Sequence, residues 1–515
     1  MRASLAATAL LAAALSGFAP CRPACAQFYD KVDLSQAATE SLVDALDGGN
    51  PAIGSSVATL AGIGDQSVEA LFRAMARSAN PAARVYGVLG AALAGGKGID
   101  PSLYAVLADR DERAAVIRES NVTGILRKSP VAELLKEGDL PAAAVLSLVA
   151  EGGRRGEPWD AEVVRPIAAS DDPIAAGFAS LLLRAGPTAA ASDQTAWKAF
   201  RGRLAGMGPA ERAPTLLGLV EATLLFELRG AVPVLLEEAA REGTPVEVRT
   251  AAVGMALRLD PARGVEAWRS DSTGDGSQRS LMRSAMQLLA AAGPGIPPEA
   301  FDDVRNGNPV LDAIANAGQA QCRGDDPVPT LVALLDSGHS GAAEWALIRA
   351  GELPPERSAP VWRHLVTTME SAPAGEEPPA PVLSGLAREL MRSDPDAVRK
   401  LLDRFAQSPT LAVAIMSGVH ESKAPQAQDI ARERRGSLPR MGESIAVLTL
   451  ARAGAPLTEA DVTMLARAAA GGGDVQPGLA LEAAWYYVKS QGKSADAAAR
   501  LAGASADEPR AAEGR

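Results

Sequence analysis

The sequence predicts an all-α protein built as a solenoid of stacked antiparallel helical hairpins. Aromatic residues make up only 4% of the 515 residues, whereas Ala, Leu and Val dominate. A sheet-rich fold would need more β-branched and aromatic residues than this. The apolar residues also recur with the period of a helix, and no strand alternation persists. Composition and periodicity therefore favour a long array of helices.

A helical hairpin recurs along the chain, and its clearest copy lies at residues 232–259. The apolar face of its first helix is expected to hold Val232, Leu235, Leu236, Ala239 and Ala240, and the polar face Glu237, Glu238 and Arg241. Gly243 makes the turn, and "TPVEVRTAAVGMALRL" (244–259) forms the second helix. Another copy, "VEALFRAMARSANPAARVYGVLGAAL" (68–93), turns at Asn80-Pro81. One hairpin cannot bury both of its apolar faces, so neighbours stack on each side and a solenoid follows.

The turns of these hairpins resemble those of the HEAT-repeat family, in which a Pro at the turn is followed by a Val or Arg that opens the second helix. The matching residues are Pro81 with Arg84, and Pro245 with Val248 and Arg249. Weaker copies lie at 169–186 and 327–351, neither with an Arg just after its turn. The resemblance implies a HEAT-like solenoid of roughly eleven to thirteen hairpins, at ~35 to 45 residues each. Other helical-hairpin repeats remain open.

Composition changes along the chain predict its organisation. We expect a signal peptide at 1–26, a HEAT-like array at 27–370, a Pro/Gly-rich linker at 371–381, a C-terminal helical-repeat segment at 382–500 and a disordered tail at 501–515.

The first residues predict export. Arg2 precedes an Ala/Leu-rich run that is too short to span a bilayer, and Ala24-Cys25-Ala26 is a small-x-small cleavage signal. We expect cleavage before Gln27 and a periplasmic or secreted bacterial protein. A lipoprotein acylated at Cys21 or Cys25 is the alternative.

Charge and cysteine content narrow the classes of partner. The chain has 51 Lys+Arg and 62 Asp+Glu, and removal of Arg2 and Arg22 with the signal peptide makes the net charge −13. This sign disfavours nucleic acid and anionic lipid. No later segment has the ~20 apolar residues that a membrane span needs, so no membrane insertion is expected. Cys322 remains without an intramolecular disulfide partner.

One segment resembles part of an enzyme active site. "VIRESNVTGILRKSPV" (116–131) resembles the start of the catalytic segment of lytic transglycosylases, which implies that Glu119 would be the general acid. The Gly-Leu-Met-Gln element of that family is missing, and "AELLKEG" stands in its place. An exposed helical Glu is therefore the preferred interpretation.

Other motifs are incomplete. Asp271, Thr273, Asp275 and Gly276 match the start of a calcium loop, but Met282 replaces its bidentate Glu. The other partial motifs are the unclustered histidines His339, His364 and His420, the Ser-x-x-Lys pair Ser490 and Lys493, and the adhesion-type tripeptide Arg323-Gly324-Asp325. We expect no catalytic, metal or cofactor residues. In "WYY" (485–487) we expect a core Trp485 and one exposed Tyr as a contact anchor.

The sequence thus favours an exported, non-enzymatic scaffold or binding protein that holds a protein partner on its solenoid surface. The alternative is a helical-repeat cell-wall glycan hydrolase or lyase related to lytic transglycosylases.

Overall fold

The chain is all-α in the residues that its computed structural model describes. None of these residues lies in a β-strand. The described residues are 34–107, 109–136, 139–185, 194–272, 277–371, 378–470 and 476–503. The predicted signal peptide, most of the predicted linker and nearly all of the predicted tail lie outside these ranges.

The chain divides into two compact units. Unit 1 comprises the described residues within 1–137 and 365–515, and unit 2 comprises those within 138–364. The first helices of unit 1 are α1 (Leu34–Leu46), α2 (Ile53–Gly62), α3 (Val68–Met75), α4 (Pro81–Ala94), α5 (Pro101–Tyr104), α6 (Arg110–Val122) and α7 (Val131–Leu134), with a 3-10 helix at Ile125–Lys128.

Unit 2 follows, and the division after it falls within its last helix. Its helices are α8 (Ala142–Arg154), α9 (Ala161–Ala168), α10 (Pro173–Ala185), α11 (Gln194–Gly206), α12 (Pro209–Phe226), α13 (Val232–Ala239), α14 (Val246–Leu259), α15 (Pro261–Ser272), α16 (Gln278–Ala291), α17 (Pro309–Arg323), α18 (Val328–Leu335), α19 (Ser340–Glu352) and α20 (Pro355–Ser371), with 3-10 helices at Arg229–Ala231 and Pro298–Val304.

Unit 1 then resumes. Its later helices are α21 (Ala380–Ser393), α22 (Pro395–Arg404), α23 (Pro409–Glu421), α24 (Ala427–Arg434), α25 (Arg440–Arg452), α26 (Glu459–Ala469), α27 (Pro477–Ser490) and α28 (Ser494–Leu501).

The two best hairpins of the sequence are present as packed helix pairs, α3 with α4 and α13 with α14. Asn80 begins α4, because its side chain accepts hydrogen bonds from the backbone N–H groups of Ala82 and Ala83, and Pro81 supplies a helical φ at the first position. Gly243 has a φ of +80° in the turn between α13 and α14. The stacking of such pairs into a HEAT-like solenoid remains a prediction.

One polar position of the second hairpin was predicted wrongly. Glu238, expected on the solvent face of α13, has no exposed surface. Its carboxylate lies between three guanidinium groups, with Arg201 Nε at 2.8 Å, Arg241 Nη2 at 3.0 Å and Arg212 Nη2 at 3.3 Å. Several partners are what a buried carboxylate requires. Two of the arginines come from α11 and α12, and the local helical period contains no information about them.

Within unit 1, helices from the two chain segments pack together. Helix α27 packs against α1 and α2, α26 packs against α1, and α28 packs against α3. At this junction Asp65 Oδ2 accepts hydrogen bonds from Lys489 Nζ at 2.5 Å and from Trp485 Nε1 at 3.2 Å. Lys423 Nζ also donates to the Gly62 carbonyl. A linear repeat array, in which each repeat contacts only its neighbours, contains no such contact.

Three late helices of unit 1 are buried around most of their circumference. This applies to α23, α25 and α27, whose central residues are almost all buried. A helix that is apolar all round is an interior helix. A partner-binding surface on these helices is therefore small, whereas α16 of unit 2 is more exposed.

Candidate functional site

An open groove lies along α16 in unit 2. It measures about 650 Å³ and is lined by Gln278, Arg279, Met282, Arg283 and Met286 of α16 and by His339, the residue before α19. We call it the Arg/Met groove. The α16 residues recur at helical spacing, so they form one stripe facing α19, and α16 also packs against α19. The groove is therefore amphipathic, with two thioether side chains beside two guanidinium groups.

The arginines of the groove differ from most arginines of unit 2. Arg279 and Arg283 are exposed and form no ion pair within the described part of the chain. Elsewhere in unit 2, ion pairs with carboxylates involve Arg154, Arg155, Arg165, Arg201, Arg212, Arg241, Arg249, Arg263, Arg269, Arg305, Arg349 and Arg357. The groove thus concentrates positive charge in an acidic protein.

The positive charge of Arg279 destabilises α16, the helix that carries it. Arg279 lies in the first turn of α16, a turn without acidic residues, where the helix dipole already contributes partial positive charge. The Ser277 side chain caps this end by accepting from the Ser280 N–H at 3.2 Å. An arginine here costs a few tenths of a kcal/mol to about 1 kcal/mol. A locally unfavourable charge is more common at functional surfaces than elsewhere.

His339 has only one ring nitrogen, Nε2, available to the groove. Its Nδ1 accepts a hydrogen bond from the Ala342 N–H at 3.2 Å and caps α19. The hydrogen of the neutral ring therefore lies on Nε2, which can act as a donor. His339 thus supplies a polar donor rather than a base at this position.

A second cluster of charged groups lies buried in unit 1. His420 Nε2 lies 3.0 Å from Glu482 Oε2, and His420 Nδ1 lies 3.0 Å from Thr449 Oγ1. Arg452 donates to both oxygens of Glu482, at 2.8 Å from Nη2, and to the His420 carbonyl at 2.7 Å from Nη1. Burial favours the protonated form of Glu482, but His420 and Arg452 hold its pKa below the usual value. The carboxylate is thus ionised and accepts from both neighbours.

The order Thr449, His420, Glu482 resembles a hydrolytic triad, but its surroundings favour a structural role. Thr449 is 4% exposed, and its hydroxyl also donates to the Ile445 carbonyl at 2.8 Å. A catalytic nucleophile has to reach its substrate. The network instead joins α23, α25 and α27 through charged hydrogen bonds, next to the junction with Asp65.

Unit 1 also has a groove of about 640 Å³ between α1, α2, α26 and α27. Its walls consist mostly of Ala, Ser and Gly residues, with Glu40 and Asp44 at one side. The hydroxyls of Ser55 and Thr59 donate to carbonyls of their own helix, Ala52 O and Ser55 O respectively. These hydroxyls are therefore already used within α2.

The structure places the motifs tested in the sequence as follows. Glu119 lies on α6, where its side chain is 31% exposed and pairs with Arg118 at 3.1 Å. Thr273, Asp275 and Gly276 of the calcium-like loop lie outside the described residues. Groups of three or more metal-binding side chains are not found in the described part of the chain.

Residues of three further sequence motifs also have ordinary roles. His364 pairs with Asp336 at 2.8 Å on an exposed surface, and the Ser490 hydroxyl donates to the Tyr487 carbonyl. Gly324 ends α17 in the left-handed conformation, with a φ of +73°.

The predicted aromatic anchor is wrong. Trp485 is buried as expected, but Tyr486 and Tyr487 are each only 7% exposed. Because α27 is surrounded by neighbouring helices, adjacent side chains on different faces are all covered. Burial and the nearby Glu482 charge raise the pKa of Tyr486.

The Arg/Met groove was missed in the sequence. From the sequence alone, Met282 is interpreted only as the residue that breaks a calcium motif. The signal was present in "QRSLMRSAMQLLAA", a helix with two arginines and no acidic residue.

No helix among the described residues combines the length and the apolar composition needed to cross a membrane. Comparison of this chain with protein-family models, with curated proteins and with solved structures finds no match.

Proposed function

We propose that this protein is an exported, non-enzymatic helical-repeat scaffold that holds a protein partner on its helical surface. The Arg/Met groove is the observation that supports this proposal most. It combines half-buried thioethers with exposed guanidinium groups that have no carboxylate partner in the described residues. Methionine adapts to varied apolar surfaces, and arginine is enriched at protein interfaces. Such a groove is suited to a partner rather than to solvent.

The chemistry of the groove also favours binding over catalysis. Its side chains offer cations, thioethers and a histidine whose Nδ1 is used as a helix cap. A nucleophile with an adjacent base would be the mark of an acyl-transfer site. The glycan hydrolase or lyase alternative depends on Glu119, which is paired with Arg118 on a different unit from the groove.

The proposal is tested by affinity capture from a periplasmic extract, with tagged native chain, Met286→Asp and the control Leu225→Asp. Met286 lies in the groove, whereas Leu225 is an apolar residue of α12 that is 38% exposed and lies outside it. We expect native chain and Leu225→Asp to capture the same protein and Met286→Asp to lose it, with helical content unchanged by circular dichroism. Equal capture by all three would contradict a role for the groove.

Export is tested separately by the intact mass of the protein recovered from the bacterial envelope. We expect an unmodified chain that begins at Gln27 and carries one free thiol, Cys322. An acylated Cys21 or Cys25 would contradict cleavage before Gln27 and indicate a lipoprotein.

A further inference from the structure

The Arg/Met groove has a charge that restricts the partner. Arg279 and Arg283 lie one helical turn apart, and the guanidinium group of each is free of ion pairs within the described residues. The N-terminal end of α16 adds the partial positive charge of its dipole. Planar guanidinium groups bind carboxylates with two parallel hydrogen bonds. An acidic partner would therefore supply carboxylates to two arginines that have none as ion-pair partners among the described residues.

The apolar part of the groove restricts the shape of the partner. Met282 and Met286 are also one turn apart and half-buried, and Met286 lies close to Gly341 at the start of α19. From Arg279 to Met286 the groove runs about 10 Å along α16, the length of two helical turns. A peptide that binds by adding a strand needs a sheet edge, and the described residues contain no strand. A groove two helical turns long, with methionines and arginines at helical spacing, matches a helix whose apolar stripe packs on the methionines.

We infer that the Arg/Met groove binds an acidic amphipathic helix of a partner protein, with apolar side chains on Met282 and Met286 and carboxylates on Arg279 and Arg283. This inference rests on the proposed function, because it gives the chemistry of the partner at the same groove. Two other occupants are outcomes of the test. A nucleic acid would form ion pairs with the arginines but would offer no apolar side chains to the methionines. A second copy of the chain would make the protein a dimer.

The experiment measures fluorescence anisotropy of labelled synthetic helices mixed with the purified full chain. Two 18-residue peptides share one leucine stripe at i, i+3, i+4 and i+7 spacing and carry either Glu or Lys at the solvent positions. A third peptide has the composition of the acidic one in scrambled order. We expect the acidic amphipathic peptide to bind at least tenfold more tightly than either of the others, and its affinity to fall as salt is raised.

Variants of the chain then locate the site. The double variant Arg279→Glu with Arg283→Glu is expected to bind the acidic peptide at least tenfold more weakly than the native chain does, and to bind the Lys peptide more tightly. The matched control is Arg258→Glu with Arg467→Glu, which changes the net charge equally at two exposed arginines outside the groove. This control is expected to change affinity less than threefold.

Several results would overturn the inference. They are equal binding of the scrambled peptide, equal loss in the control variant, tighter binding of a DNA oligonucleotide, or a concentration-dependent dimer that Met286→Asp dissolves. The proposed function fails in a different way. If Met286→Asp still captures the periplasmic partner, the groove is not the binding site. If capture is lost but the acidic peptide is not preferred, only the chemistry inferred here is wrong.

Discussion

Replacing Glu482 by Gln removes one negative charge from the buried network of unit 1. The native carboxylate accepts from Arg452 Nε at 3.1 Å, from Arg452 Nη2 at 2.8 Å to each oxygen, and from His420 Nε2 at 3.0 Å. Glutamine retains one acceptor oxygen and presents an amide donor to the remaining donors. Arg452 then keeps its charge in a mostly buried position, 17% exposed, without a counterion.

Breaking a buried pair in this way costs about 3 to 5 kcal/mol, because the remaining charge is uncompensated. Glu162→Gln is the matched control. Glu162 pairs with Arg165 at 3.2 Å, but its side chain is 72% exposed. An exposed pair contributes about 0 to 1 kcal/mol.

The assay is native-state hydrogen exchange followed by mass spectrometry, which gives the opening free energy of each helix. We expect amides of α23, α25 and α27 to lose about 3 to 5 kcal/mol of protection in Glu482→Gln, while α10 of unit 2 is unchanged. We expect Glu162→Gln to leave α23, α25 and α27 as they are. A loss below about 1 kcal/mol in Glu482→Gln would refute the assignment of an essential buried charge.

Other predictions concern stability and the alternative function. Burial opposes ionisation of Asp65, but hydrogen bonds led by that of Lys489 lower its pKa to about 2 from 3.8, so Asp65→Asn should cost about 2 kcal/mol at pH 7. Because the pKa of Asp65 is lower in the folded than in the unfolded chain, urea unfolding should show the full difference in unfolding free energy between native chain and Asp65→Asn from pH 7 to 5. This difference should shrink below pH 4 and be lost near pH 2. A difference that stays constant with pH would contradict the ion pair. Leu235 is 1% exposed and Leu217 is 37% exposed, so Leu235→Ala should cost about 2 to 5 kcal/mol and Leu217→Ala under about 1 kcal/mol in the same assay, and equal costs would exclude a packed core at Leu235. Glu119→Gln should complement a deletion strain fully, and loss of both complementation and muropeptide release by the folded variant would favour the glycan-cleaving alternative.

Local features of the fold were predictable from the sequence. The helices at 68–75 and 232–239 follow from apolar residues at helical spacing, and their second helices follow from Asn80-Pro81 and Thr244-Pro245. These signals act within a few residues of the helix that they start. They therefore predict that a helix exists and where it begins.

Pairing between distant helices was not predictable in the same way. An apolar stripe requires burial but does not specify the helix that covers it, so the packing of α27 on α1 and α2 left no local signal. The burial of Glu238 depends on Arg201 and Arg212, which lie on other helices. The groove depends on Arg279 and Arg283 having no ion pair among the described residues, which is a property of the folded surface.

The junction in unit 1 has a consequence for the order of folding in the cell. Trp485 contacts a residue that precedes it by 420 positions, and the helices around that residue are covered by α26, α27 and α28. At about 5 to 20 residues per second, these late helices are synthesised roughly 20 to 80 seconds after α1 and α2. Leu42 and Leu46 of α1 have no exposed surface in the folded chain. The apolar faces of α1 and α2 therefore reach their native burial only after the late helices have joined unit 1.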